Sequence, residues 1–314
     1  MRVTTSMIFN SGTRGMQARQ SDLYKLQNQM DTGRRILSPE DDPIGASEVL
    51  QVSQSKSLNT QFLDNQSNAQ SQLVFLESTL GSVTDGLSRI SELAAGAASP
   101  TQGSMVVAEL KGQLTNLLDL ANTQDGTGQY IFAGYKSTTK PFQAIAQGAN
   151  PPTYSLGQTY VNYMGDAGNP SLQVTASSDM SVNENGLDVF MQVKDASGNV
   201  TGKSLFDTLQ NMINILDGSS AYSAAGLTAA RDEISSAVSH ISTIRASVGG
   251  RQNSLDTLTA GGGDAGYLYD ARLSELQDLD YVAAVSQYSN VKMQLEAAQL
   301  TFKQTSQLSL FNIL

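Results

Sequence analysis

The sequence predicts a mainly α protein: an elongated helical bundle with paired N- and C-terminal coiled-coil helices and a small inserted β-rich domain. Three observations predict it. A seven-residue apolar repeat recurs in separate internal blocks. Weaker copies of that repeat stand at both ends of the chain. Between residues 131 and 204 the repeat fades, and Gly, Pro and Tyr gather there instead.

The clearest block is Leu73, Leu76, Leu80, Val83, Leu87, Ile90, Ala94 and Ala97. Every a and d position is apolar, as in helices packed along a seam. A second block runs Leu227, Ala230, Ile234, Ala237, Ile241, Ile244, Val248, Arg251, Leu255 and Leu258, broken only by Arg251. A shorter one is Val107, Leu110, Leu114, Leu117 and Ala121. All three read as the core of a bundle.

The terminal repeats are thinner. Met16, Leu23 and Met30 fall seven apart, with Leu26 between them and Arg19 as a polar break. The C-terminal series is Tyr281, Ala284, Tyr288, Val291, Leu295, Ala298, Phe302 and Thr305. The two ends suit one amphipathic pair. A lone pair of such helices recovers little of the chain entropy it gives up, so the ends are expected to order fully only against further partners.

Breaks divide these blocks. Gly33 is placed to end the first helix in a left-handed conformation. Ser38-Pro39-Glu40-Asp41 has the spacing of a helix-start box, and Asp42-Pro43 offers a second start. The next helix is expected from Pro43 to about Ala98, with Ser99-Pro100 interrupting it. In the middle, Tyr160–Met164, Leu172–Thr175 and Val189–Val193 read as strands, and Ser197-Gly198-Asn199 as a hairpin turn. The run Gly261-Gly262-Gly263 is expected to divide the strong Leu227–Leu258 helix from the last one. The predicted organisation is nested: 1–42 with 270–314 as a terminal coiled-coil assembly domain, 43–130 with 205–269 as a helical bundle, and 131–204 as the outer β-rich insert.

Composition narrows the function. The chain has 314 residues, a formal net charge of −10, one His and no Cys or Trp. An acidic balance argues against a nucleic-acid partner, whose phosphates call for Lys and Arg. No apolar run approaches the ~18 residues of a membrane span. The first residues contain no apolar core of a cleavable signal. Without Cys there is no thiolate nucleophile, thiolate metal ligand or disulfide.

Catalytic candidates are few. Gly198-Asn199-Val200-Thr201-Gly202-Lys203-Ser204 sits where a phosphate-binding loop would, but it is one residue short of that motif and reads as a turn and loop. His240, beside the seam residue Ile241, reads as a boundary residue, and a single His builds neither a triad nor a His-rich metal site. Glu40-Asp41-Asp42 reads as helix capping rather than paired acid–base carboxylates. The expectation is a protein without catalytic, cofactor-binding or metal-binding residues.

Two terminal segments are similar to the flagellin superfamily. One is Leu26–Ile36 followed by Ser38–Pro43; the other is Asp278–Val285 with the closing Leu308–Leu314. The segment Leu120–Tyr135, with Tyr130-Ile131-Phe132-Ala133-Gly134 and then Pro141-Phe142, resembles the hook-associated protein 3 family within it more than filament flagellin. The resemblance implies a structural subunit at the hook–filament junction of a bacterial flagellum, exported unfolded through the type III channel without a cleaved signal. It implies as partners further copies of the chain, a hook-side hook-associated protein, flagellin and an export chaperone, with no nucleic acid and no membrane. With that role, the terminal seams are expected to bury against neighbouring subunits, which puts Leu23, Leu26, Met30, Leu295, Ala298, Phe302, Leu308 and Leu310 at the assembly interface. Flagellin itself, a type III-secreted translocator or adhesin, and a P-loop nucleotidase are the competing readings. A translocator calls for a membrane-inserting apolar stretch, which the sequence lacks.

Overall fold

Helices account for most of the chain in the computed structural model, which describes residues 5–97, 100–145, 160–192, 199–200, 202–218 and 221–311. They are α1 (Thr5–Thr32), α2 (Pro43–Gly96), α3 (Pro100–Ala121), α4 (Leu205–Leu216), α5 (Ala224–Gln277) and α6 (Tyr281–Phe311). Two short antiparallel pairs lie between α3 and α4: β1 (Phe142–Ala144) with β2 (Val161–Tyr163), and β3 (Ser171–Thr175) with β4 (Ser178–Ser181). The chain forms two compact units, 1–60 with 264–314 and 61–263.

In the larger unit the predicted seams are the core. All eight seam residues from Leu73 to Ala97, the last just past the end of α2, are buried, and so are their α5 counterparts from Leu227 to Val248, with Leu255. The polar break is informative. Arg251 pairs with Glu184 and donates from Nη1 to the Ser181 carbonyl at 2.9 Å, so it fastens the β4 end to α5. A nearly buried pair of this kind is costly to break, because removing one partner strands the other charge. Arg245 bonds Glu77 through Nη2 at 2.6 Å and Nε at 2.8 Å, tying α5 to α2.

The insert is anchored by aromatic packing. Phe132, Phe142, Phe190 and Phe206 are fully buried. Phe132 meets Phe190 edge-on at 5.1 Å between centroids, and Phe142 lies 5.3 Å from Phe190 and 5.5 Å from Phe206. The turn after Phe132 needs glycine. Gly134 has φ +68°, and a Cβ there would fall 2.1 Å from Asp166 Oδ1. That carboxylate accepts from the Tyr135 and Gly168 amides, which hold it below the usual carboxylate range. Tyr163 donates to the carbonyls of Asp166 at 2.7 Å and Phe132 at 3.0 Å, and burial pushes its phenol up to about 12.

Three expectations are corrected. Val189–Val193 is not a strand. Leu187–Met191 is a π-helical turn, with Asn185 Oδ1 accepting from the Asp188 amide at 2.8 Å. Burying the adjacent Val189 and Phe190 together suits a helical turn, because a strand would send them to opposite faces. The Ser38 start is also superseded. Asp42 caps α2, with Oδ1 accepting from the Gly45 amide at 2.9 Å and Pro43 at the first helical position. Finally, Gly261-Gly262-Gly263 does not divide two helices, because α5 runs through it unbroken. The hairpin turn at Ser197-Gly198-Asn199 lies mostly outside the described residues. Of the phosphate-loop lookalike, Lys203 pairs with Glu233, and the Ser204 hydroxyl caps α4 by accepting from the Asp207 amide. His240 Nε2 lies 2.9 Å from the Asp188 carbonyl, linking α5 to the π turn.

Candidate assembly surface

The smaller unit is built on α1 packed against α6. The repeat in each helix places its apolar residues on the shared face. Leu26, Ala284 and Val291 are buried there, while Leu23, Met30, Leu295, Ala298 and Phe302 are half-buried. Phe302 lies 4.9 Å from Phe9 between ring centroids. Gly12 makes room for it: a Cβ there would come within 2.8 Å of Phe302 Cδ2. The polar break Arg19 faces solvent and pairs with Asp22 at 3.7 Å. The side chains of Leu308 and Leu310 lie outside the described residues. Of the eight residues expected at the interface, six therefore lie on a seam within the chain, and five of those are only partly covered.

The links between helices are fastened to each other. Gly33 ends α1 with φ +69°, as its position requires. Its carbonyl accepts from the Leu279 amide at 2.9 Å, and the Arg35 amide donates to Gln277 at 2.7 Å. Arg35 Nη2 reaches the Leu276 carbonyl at 2.8 Å, and the Tyr281 hydroxyl donates to the Met30 carbonyl at 2.8 Å. The buried Gln29 donates to the Arg35 carbonyl at 2.6 Å. Asp41 closes the loop: it meets Lys25 at 2.6 Å and accepts from the Leu37 and Ser38 amides. The Lys25 hydrogen bond, aided by those amides, lowers its carboxyl below the usual range.

Away from the seam, this unit exposes much apolar surface. On α6, Val282 is 84% exposed and Met293 65%, with Val285 and Leu300 also exposed. At 100° per residue these four share one stripe, roughly 160° round the helix from the seam. Met7, Phe9 and Tyr24 are exposed on α1, Ile44, Leu50 and Leu58 on α2, and Tyr267 and Leu268 on α5. Sequence reasoning missed the α6 stripe because Ser289 and Glu296 interrupt it while the stronger seam repeat runs alongside. Singly exposed apolar residues are ordinary, but a row on one helix marks an interaction face.

Among the described residues, no group of three or more His, Cys, Asp or Glu is placed to hold a metal ion, and no helix is long and apolar enough to cross a membrane.

Residues 3–137 match the bacterial flagellin N-terminal helical region. The whole chain aligns with flagellar hook-associated protein 3 of Escherichia coli K12 at 29% identity, covering 99% of that protein. It aligns with the protein of the same name from Salmonella typhimurium at 28%, again over 100% of this chain and 99% of the relative. In fold it is similar to the flagellar junction protein FlgL from Legionella pneumophila. That likeness has a TM-score of 0.56 at 20% identity, over 74% of this chain and 100% of the other.

Proposed function

We propose that this chain, whose residues 3–137 match the bacterial flagellin N-terminal helical region and which is similar to hook-associated protein 3 over its whole length, is a structural subunit of the bacterial flagellum at the hook–filament junction. It adapts a hook-side hook-associated protein to flagellin and assembles with copies of itself. It travels unfolded through the type III channel without a cleaved signal, held beforehand by an export chaperone, and works outside the cell. Its role is structural rather than enzymatic.

The observation that carries this reading is the exposed stripe Val282, Val285, Met293 and Leu300 on the face of α6 turned away from a half-covered seam. Covering the stripe removes apolar area worth roughly 4–8 kcal/mol, after discounting the part already buried. The open edges of Leu23, Met30, Leu295, Ala298 and Phe302 offer more to a neighbouring subunit. In this reading 1–42 with 270–314 is the assembly part, 43–130 with 205–269 the lateral bundle, and 131–204 the outer insert.

The test is the double variant Val282→Asp with Met293→Asp. Both side chains are mostly in water, so the free chain should keep its melting temperature within about a degree or two, as surface substitutions do. Incorporation into flagella should fall at least tenfold in a strain lacking the native gene. Wild-type incorporation would show that this face is not the one used.

A further inference from the structure

Two glycines of the α5 run, Gly261 and Gly263, are not required by the packing around them. None of Gly261, Gly262 and Gly263 is among the glycines with positive φ. A Cβ on Gly261 or Gly263 would meet nothing within 4 Å. Alanine would fit at both positions, and each glycine weakens the helix about fivefold relative to alanine. The helix nevertheless runs through the run, so it is held from outside. Core packing thins at this point: between Leu255 and Leu273 on α5, and between Gly45 and Gln66 on α2, no side chain is fully buried, and Leu258 is the last α5 residue before the run to pack against the core. Thr259 donates to Gln66 Oε1 at 3.1 Å, and Asp270 pairs with Lys56. The boundary between the chain's two compact units falls directly after Gly263.

We infer that Gly261–Gly263 form a built-in joint in α5, a place where the helix opens and bends while the seams on either side stay closed. Three features coincide there: the residues of lowest helix preference, the absence of buried side chains on both helices, and the boundary between units. Local opening is cheapest where apolar contacts are fewest. A helix interrupted by such a run changes direction without unfolding its neighbours, as hinges do.

The experiment is native-state hydrogen exchange on the full-length free chain, compared with Gly261→Ala/Gly263→Ala. The joint predicts that amides of residues 259–267 exchange through a local opening insensitive to low denaturant, at least 100-fold faster than those of residues 234–255. The double variant should slow them by roughly 25-fold, two factors of about five, and leave residues 234–255 unchanged. As a second readout, spin labels go on Ser247→Cys and Ala271→Cys, both exposed in a chain with no native cysteine. The distance distribution between them should narrow in the double variant. Exchange of residues 259–267 only with global unfolding, or a distribution of the same width in both proteins, would overturn the joint.

Discussion

Replacing Phe302 tests how the terminal pair holds together. Its ring is half-buried, lies against Phe9 and fills the space that Gly12 leaves. Truncation to alanine removes about half of a buried aromatic's transfer energy and the ring–ring term, together about 1.5–3 kcal/mol. Phe302→Asp adds the cost of pressing a carboxylate against Phe9, for roughly 3–5 kcal/mol in all. The rest of the described seam is mostly half-buried, so this loss should open α1 from α6 rather than spread evenly. The larger unit draws its core from other residues, from Ala69 through Leu255, and should be untouched. Hydrogen exchange of the purified chain should show protection lost across α1 and α6 and kept at Leu73–Ile90 and Ile234–Val248. In cells the variant should be exported but not incorporated into flagella. Unchanged protection in α1 and α6, or normal incorporation, would refute this account of the pair.

Other consequences follow from the same geometry. Arg251→Ala should strand Glu184 and cost about 3 kcal/mol, with exchange quickening first at β3 and β4; replacing both residues together should cost less than the single change. Tyr163→Phe should cost about 1–2 kcal/mol by removing the one hydroxyl proton that the Asp166 and Phe132 carbonyls share. It also bears on pH. The folded phenol titrates near 12 against an ordinary value of 10.0, so its contribution is complete below pH 10 and lost as pH rises towards 12. Alkaline melts of the wild type should steepen over that window, and those of the phenylalanine variant should not. Asp41 has the opposite sign. Its folded value is lowered, so its contribution stands above about pH 4 and fades as pH falls further. Asp41→Asn should loosen the loop at residues 33–42 at neutral pH and flatten the acid dependence of its exchange.

The internal seams were legible in the sequence almost residue by residue, because a buried face on a straight helix must recur every three to four positions. Leu73 to Ala97 show this without exception. Capping at Gly33 and Asp42 was equally readable, since those backbone positions restrict the residue type. The misreadings have physical sources. Val189–Val193 is too short for its apolar run to separate a strand from a helical turn. The strands Phe142–Ala144 and Ser178–Ser181 are three and four residues long, too short for an alternation to announce them. The run Gly261–Gly263 was read as a break because local preference argued for one, and helix on both sides overrode it. At the candidate surface, the repeat located the paired helices, but a heptad alone does not say whether its partner is the same chain or another. The exposed stripe from Val282 to Leu300 became visible only once the seam had claimed the other face.

The most direct test of the junction role is electron microscopy of a strain lacking this gene, with the culture medium assayed for monomeric flagellin. The account predicts hooks without filaments and flagellin lost to the medium. Hooks bearing normal filaments would contradict it.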